Sequence, residues 1–463
     1  MSAPNKSNIS RRSFLKTAAL GAGAAGFSGP LILRGSAVST DANAKINLAA
    51  VGLGGQGRGD MGGMLSTGRI NVVALCDPDA DQVATARKIV GEHSGVAPKC
   101  HEDYRKLLDE ASSFDAVLIA TPDHWHVPLC KAFMKAGKHV YCEKPLAHSI
   151  GEARELRELS RISKVVTQMG NQGSASPALR RCIELIKGGA LGKVREVYQW
   201  GIHSFAREGS ADGEDPIPAD FNWDLWIGPS APRPFKKGVY HPANWRGWYD
   251  FGNGGLADFA CHDINLPVRA LDLGYPERVV INVNPKNPWE QTPGKAAVEY
   301  HFAARGDLSP VTLYWQGGGK PPAEVLQHLE TLDPKNDIRG GGVCILGDKG
   351  CIVTDHWGFG GHIRLKSESG LEDIRGHSAS KDIPQSLPRV AGHAQEWFDA
   401  IQGKGHTFSD FETGGKLTEI GLVGVLALRA GKTIEWDGEK MDAKNYSDAG
   451  RFIHPELRNK WLL

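Results

Sequence analysis

Ile46-Asn47-Leu48-Ala49-Ala50-Val51-Gly52-Leu53-Gly54-Gly55-Gln56-Gly57 decides the reading of this chain. A short apolar run leads straight into Gly-x-Gly-x-x-Gly, the pattern of a buried strand that turns through glycines into a helix. Gly52, Gly54 and Gly57 would let the backbone approach a pyrophosphate at the helix N-terminus, where unpaired N–H groups favour an anion. Twenty residues after Gly57 comes Asp77, at the end of the next apolar run, Asn71 to Cys76. A carboxylate there accepts hydrogen bonds from the ribose hydroxyls of an adenosine. Asp79 and Asp81 crowd the same loop and would repel the extra phosphate of NADP, so the pattern favours NAD. Arg58, just past the turn, keeps NADP open, because a guanidinium pairs well with phosphate.

Outward from this turn, residues 45–169 alternate short apolar runs with amphipathic stretches, which predicts a doubly wound parallel sheet covered by helices. The runs Phe114 to Ala120, Lys138 to Cys142 and Val165 to Met169 read as further strands, with helices over Val127 to Ala136 and Ile150 to Ser163. Residues 170–463 have another texture. A helix over Pro177 to Lys187 is followed by Trp, Pro and Gly clusters between Phe221 and Gly255. Strand-like runs come next at Arg278 to Val283, Ala297 to Phe302 and Pro310 to Trp315. This predicts a second, mainly antiparallel α+β domain. The glycines at 317–319 and 340–342 read as loops bracketing a mobile surface insertion.

Upstream, residues 1–44 read as a twin-arginine export signal. Ser10-Arg11-Arg12-Ser13-Phe14-Leu15-Lys16 precedes the Gly/Ala-rich stretch Thr17 to Leu33, and Ala42-Asn43-Ala44 or Gly35-Ser36-Ala37 supplies the cleavage pattern. The apolar stretch is too short and too rich in glycine for a stable membrane span. An exported, periplasmic protein that meets the twin-arginine machinery is the expectation. A net charge of +1 over 463 residues, with no run of like charge, argues against a nucleic-acid partner. The eight cysteines form no closely spaced pair, so buried thiols are expected rather than a zinc site or a disulfide framework.

Two motifs fall at the ends of predicted strands, where doubly wound sheets place ligands: Thr121-Pro122-Asp123-His124-Trp125-His126 and Glu143-Lys144-Pro145. Two histidines one residue apart invite a metal, but no third ligand pattern accompanies them and none is expected. In the second domain Asp258 and His262 stand four apart, on one face of a helix, where a carboxylate can orient and charge an imidazole. The cluster Trp223, Trp226, Trp245, Arg246 and Trp248 reads either as core or as stacking faces and a charged clamp for a sugar.

Taken together, the glycine turn, Thr121-Pro122 with His126, Glu143-Lys144-Pro145 and Asp258 with His262 resemble the Gfo/Idh/MocA family of glucose–fructose oxidoreductase and inositol 2-dehydrogenase, over essentially the whole chain after the signal. The resemblance implies a Rossmann domain followed by an α+β domain with a large open sheet, used for substrate binding and homo-oligomerisation. It implies that Lys144 and His262 flank the reacting hydroxyl, with Asp258 in support. Thr121, Pro122, His126, Glu143 and Lys144 would join Gly52, Gly54, Gly57, Arg58 and Asp77 around the cofactor, and a cis peptide bond is expected before Pro145. Asp123 departs from the asparagine frequent after Thr-Pro. Asn265 departs from the aspartate that inositol dehydrogenases often carry three residues beyond the histidine, which makes inositol a less favoured substrate. The expected function is NAD(P)-dependent hydride transfer to or from a sugar, polyol or sugar derivative, with a tightly bound cofactor. The alternatives are glycoside hydrolysis through transient oxidation, elimination and re-reduction, and a non-catalytic, cofactor-bound carbohydrate-binding protein.

Overall fold

A computed structural model of the chain describes residues 45–463 except 96, 202–203, 206–210, 284–288, 331, 333–337, 339, 459–460 and 462–463. The twin-arginine segment and both cleavage patterns lie outside the described residues. Among the described residues, no helix is long and apolar enough to cross a membrane.

The first sheet comprises β1 (Ile46–Val51), β2 (Ile70–Cys76), β3 (Lys99–His101), β4 (Ala116–Ile119), β5 (His139–Cys142) and β6 (Thr167–Met169), in the order β3-β2-β1-β4-β5-β6. All five pairings are parallel. Their unbroken apolar runs follow from burial on both faces. All four residues of β4, for example, are buried. The chain order reverses between β1 and β4, which opens a crevice at the strands' carboxyl ends where Gly52, Asp77, Thr121 and Glu143 all emerge.

The helix expected from Val127 begins four residues earlier, as Asp123–Lys135, after Pro122 in an extended conformation. Pro128 lies inside this helix. Another helix on this sheet comes from far down the chain. His393–Ile401 puts Trp397, Phe398 and Ile401 into one buried cluster with Ile46, Leu48 and Ala50 of β1, Trp397 meeting the Tyr141 ring of β5 at 5.7 Å, and Arg69 pairs with Asp399 at 2.7 Å.

Among the described residues, the second sheet has ten strands: β7 (Val194–Gly201), β8 (Arg278–Ile281), β9 (Ala297–Phe302), β10 (Val311–Gly317), β11 (Gly341–Gly347), β12 (Gly350–Thr354), β13 (His362–Leu365), β14 (Glu372–Asp373), β15 (Ile434–Asp437) and β16 (Asp442–Ala443). Their order is β14-β13-β12-β11-β7-β10-β9-β8-β15-β16, antiparallel throughout except for β7 against β10. One face packs on the helices Pro177–Lys187, Gly254–Asp263 and Phe411–Ala430 in a core shared with the first sheet. On the other face the helix Ala323–Leu329 sets Val325 and Leu329 against Tyr198, Trp200, Cys344 and Cys351. This helix lies between the two glycine runs expected to bracket a mobile insertion. Gly341 and Gly342 are not loop but the start of β11, and a Cβ on Gly342 would meet the Trp200 ring at 2.8 Å. All eight cysteines are free thiols; seven are buried, and Cys100, against expectation, is exposed because β3 forms the sheet's edge.

Candidate active site

The glycine turn is closed by backbone at Gly52 and Gly57. Gly52 has φ +83°, and a Cβ there would stand 2.5 Å from the Thr121 amide nitrogen. A Cβ on Gly57 would overlap the Gly52 carbonyl oxygen. Around a Cβ built on Gly54 or Gly55, by contrast, no atom lies within 4 Å. The helix Gly55–Ser66 starts there with no side-chain cap on its free N–H groups. This open cradle, with N–H groups aimed into it, fits a pyrophosphate.

Beyond the cradle a cavity of ≈ 440 Å³ runs from Asp77 and Arg58 at one end to Glu143, Lys144 and Arg246 at the other, past Thr121 and Pro122. Asp77 accepts from the Leu53 amide at 2.6 Å and the Asp79 amide at 3.0 Å. Arg58 donates to the Leu53 carbonyl at 2.6 Å and also contacts Gln82. Burial pushes the Asp77 carboxyl up to about 6. Only the ionised form accepts two ribose hydroxyls, so NAD affinity is expected to fall about tenfold between pH 7 and pH 5. Titration calorimetry of NAD at the two pH values, with Asp77→Asn losing the dependence, checks this.

At the other end, Lys144 Nζ lies 3.0 Å from Asp258 Oδ2, and Arg246 Nε lies 3.2 Å from Asp258 Oδ1. Burial opposes the charge on Lys144, but Asp258 and Glu143 outweigh it and hold the ammonium above its ordinary value. Burial likewise opposes ionisation of Asp258, and here Lys144 and Arg246 prevail and hold its carboxyl low. The two directions agree on an ion pair charged at neutral pH. His262 sits one helical turn from Asp258, its ring 4.2 Å from the Trp357 ring, and the Lys144–Pro145 peptide bond is cis. Phe259 lies 6.0 Å from both Lys144 Nζ and the Phe205 ring, so aromatic faces wall the charged groups.

Asp123 is buried beside this pair. Burial and the neighbouring Asp258 carboxylate push it well above the carboxylate range, and its Oδ1 has no hydrogen-bond partner among the described residues. A neutral carboxylic acid has the shape of an asparagine amide and one donor, which reconciles Asp123 with the residue frequent at that place. Asn265 bonds Ser174 at 2.9 Å and Arg269 at 2.7 Å, away from the cavity.

His126 does not line the cavity. Its ring nitrogens face the carbonyls of Pro145 at 2.6 Å and Thr121 at 2.9 Å, and burial lowers it to about 4. It therefore fixes the strand-end loops from beneath. His124 points elsewhere, toward the carbonyls of Phe251 and Trp226, because residues two apart on a helix diverge. Of the tryptophan cluster, Trp226, Trp245 and Arg246 line the cavity, Arg246 lying 4.2 Å over Trp245. Trp223 and Trp248 are core.

Sequence reasoning missed Asp60 and Gln172. Gln172 Nε2 donates to Glu143 at 3.1 Å and to Asp60 at 3.4 Å, and burial raises Asp60 to about 6 and Glu143 well above its usual range. The pair holds a proton at neutral pH beside Lys144. Asp60, three residues past Gly57 on a helix otherwise short of acidic residues, was the available signal.

Residues 46–171 match the family model described as the oxidoreductase family, NAD-binding Rossmann fold, and residues 193–300 match the same family's C-terminal alpha/beta domain. Among curated relatives, glycosyl hydrolase family 109 protein 2 of Shewanella sp. (strain ANA-3) is 35% identical over 127 residues, 26% of this chain and 28% of that protein. Levoglucosan dehydrogenase of Pseudarthrobacter phenanthrenivorans is 26% identical over 195 residues, 42% of this chain and 40% of that protein. The chain thus matches well under two thirds of the length of either. Among solved structures, levoglucosan dehydrogenase in complex with NADH and levoglucosan superposes with a TM-score of 0.58 at 17% identity, over 84% of this chain and 99% of that one. Aldose-aldose oxidoreductase from Caulobacter crescentus gives 0.56 at 16%, over 84% and 99%. Likeness at that identity speaks for the fold, whereas the two family models cover the glycine cradle, Lys144, Asp258 and His262. The chain therefore belongs to the Gfo/Idh/MocA family of oxidoreductases, with the family's NAD-binding Rossmann domain carrying the cradle and its C-terminal α/β domain carrying Asp258 and His262.

Proposed function

We propose that the protein oxidises a CH–OH group of a sugar, polyol or sugar derivative, or forms one in reverse, and that it holds its cofactor tightly. The observation that carries this is the buried Lys144–Asp258 ion pair, whose Lys144 lines the same cavity as the glycine cradle, at its far end. When bound, the nicotinamide cofactor would supply the hydride acceptor, NAD, for oxidation and the donor, NADH, for reduction. Lys144, kept charged by Asp258, donates to the reacting oxygen and stabilises the negative charge that develops there. A charged ammonium cannot take the hydroxyl proton, so that task falls to His262. Arg246 shares Asp258 with Lys144 and orients substrate oxygens. Phe205, Phe259 and Trp357 exclude water and offer faces to the C–H side of a sugar ring. Incubation with NAD and a panel of aldoses, polyols and sugar acids, followed by NADH fluorescence, tests this reading. A folded, NAD-binding protein that turns over none of them overturns it.

A second reading has support in the relatives named as family 109 glycosyl hydrolases. In it the same residues cleave a glycoside through transient oxidation. Release of nitrophenol from a nitrophenyl glycoside panel without net NADH would select it, and net NADH would select the first. If neither occurs and Lys144→Ala changes nothing measurable, a non-catalytic binding protein is what stands.

We also propose export of the folded protein to the periplasm and assembly as a homo-oligomer. The support for export is the Ser10 to Lys16 motif with its Gly/Ala-rich continuation. Replacing Arg11 and Arg12 by lysine is expected to retain the protein in the cytoplasmic fraction, and light scattering of the purified protein is expected to give a dimer or larger.

A further inference from the structure

The cofactor cavity has two walls from different domains. One is the Gly52 to Gln56 turn with Asp77; the other is Leu225, Trp226, His241, Pro242, Ala243 and Trp245. The second wall is tied down across the adenosine end. The Ala80 amide donates to the Asp220 carbonyl at 3.0 Å, and the Asn222 amide donates to the Pro78 carbonyl at 2.9 Å. His241 Nε2 lies 2.7 Å from Asp79 Oδ2, and the His241 ring stacks on Phe221 at 4.6 Å. The three hydrogen bonds all land on Pro78-Asp79-Ala80, directly after Asp77. Asp79 divides its carboxylate: Oδ1 caps the next helix through the Asp81 amide at 2.9 Å, while Oδ2 meets His241.

The segment is stiff within itself. Phe221, Trp223, Trp226, Phe235, Tyr240 and Phe251 form one buried aromatic cluster, with Trp223 and Trp226 stacked at 4.8 Å. Moving it away from the first domain therefore breaks the bonds to residues 78–80 together rather than one at a time.

We propose that residues 217–246 form a strap that encloses NAD against the Rossmann domain, with His241 on Asp79 as its latch, so that the nucleotide is a resident group released only when the strap opens. This rests on the NAD-binding reading of the cavity and extends it. It assigns retention to the second domain, and it explains why a Trp-, Pro- and Gly-rich stretch follows the Rossmann domain.

The test reads nucleotide, not turnover. Protein purified without added cofactor is denatured and its released nucleotide quantified; separately, NADH-loaded protein is chased with excess NAD and the loss of NADH fluorescence timed. Wild type is expected to carry close to one nucleotide per chain and to exchange slowly. His241→Ala is expected to release NADH about tenfold faster, as loss of one partly buried charge-assisted hydrogen bond would give. His241→Gln, whose amide still donates to Asp79, should fall between and serves if the alanine variant does not fold. Nucleotide-free wild type that exchanges NADH within the mixing time overturns the strap, as do wild-type release rates in the foldable His241 variants. Sugar turnover with fast exchange would leave the oxidoreductase reading standing without the strap. Retained nucleotide with no turnover would do the reverse.

Discussion

Lys144→Ala is expected to lower kcat for sugar oxidation by roughly 10³-fold while changing NAD affinity little. The asymmetry follows from where the ammonium points. Nζ is committed to Asp258 at 3.0 Å and lies within 6.0 Å of the Phe259 ring, at the substrate end of the cavity, whereas the pyrophosphate cradle is formed by backbone N–H groups. Without Lys144, Asp258 keeps Arg246 at 3.2 Å, so its buried charge is not stranded. The stability cost should therefore stay near 1–2 kcal/mol, below the 3–5 kcal/mol of a fully broken buried pair. Lys144→Arg should not rescue the rate, because a planar guanidinium bonded to Asp258 cannot place a single donor where Nζ stood. Single-turnover NADH formation measures the chemistry, and quenching of tryptophan fluorescence by NAD measures binding. A fall in kcat of less than tenfold, with NAD binding intact, would remove Lys144 from the reacting centre.

What was legible in the sequence was local. The strands of the first sheet announce themselves as apolar runs buried on both faces, and the glycine turn is a contiguous signal, so β1, β2, β4 and β5 and their ligand-bearing ends follow from residues near one another. Lys144 at a strand end and the Asp258–His262 pair on one helix face are separate candidates in the sequence, and only the family resemblance joins them in one site, because no spacing rule links residues 114 positions apart. The invisible parts are tertiary. The His393–Ile401 helix covers the first sheet with an apolar face that would suit any sheet. Asp60 and Glu143 look like two unrelated acids until Gln172 joins them. Trp357 reaches His262 only because the loop after β12 is folded back by Asp355, whose carboxylate takes the Trp357 amide at 2.8 Å and the Gly360 amide at 2.7 Å. His126 shows the opposite failure. Its position after Thr-Pro suggested a cofactor contact, yet a helix beginning at Asp123 turns its ring onto two backbone carbonyls.

Gly57→Ala is expected to cost NAD affinity at least about 100-fold and stability about 1–3 kcal/mol, because the added methyl has nowhere to go. It would overlap the Gly52 carbonyl oxygen and stand 3.2 Å from the Ala120 Cβ. Gly52 cannot yield, since it is pinned at φ +83° against the Thr121 amide and its own amide bonds the Cys76 carbonyl at 3.0 Å. The strain must instead push the start of the Gly55–Ser66 helix outward, and with it the uncapped N–H groups that form the cradle. Gly54→Ala separates the two consequences. Its Cβ would meet no protein atom within 4 Å and would project into the cradle, so the fold should melt at nearly the wild-type temperature while NAD binding is lost. Melting temperature and NAD dissociation constant, measured on both variants, give four numbers with a fixed expected pattern: both fall for Gly57→Ala in stability and affinity, and affinity alone falls for Gly54→Ala. Wild-type affinity in Gly54→Ala would mean that the pyrophosphate does not lie over this turn, and the assignment of the cofactor end of the cavity would have to move with it.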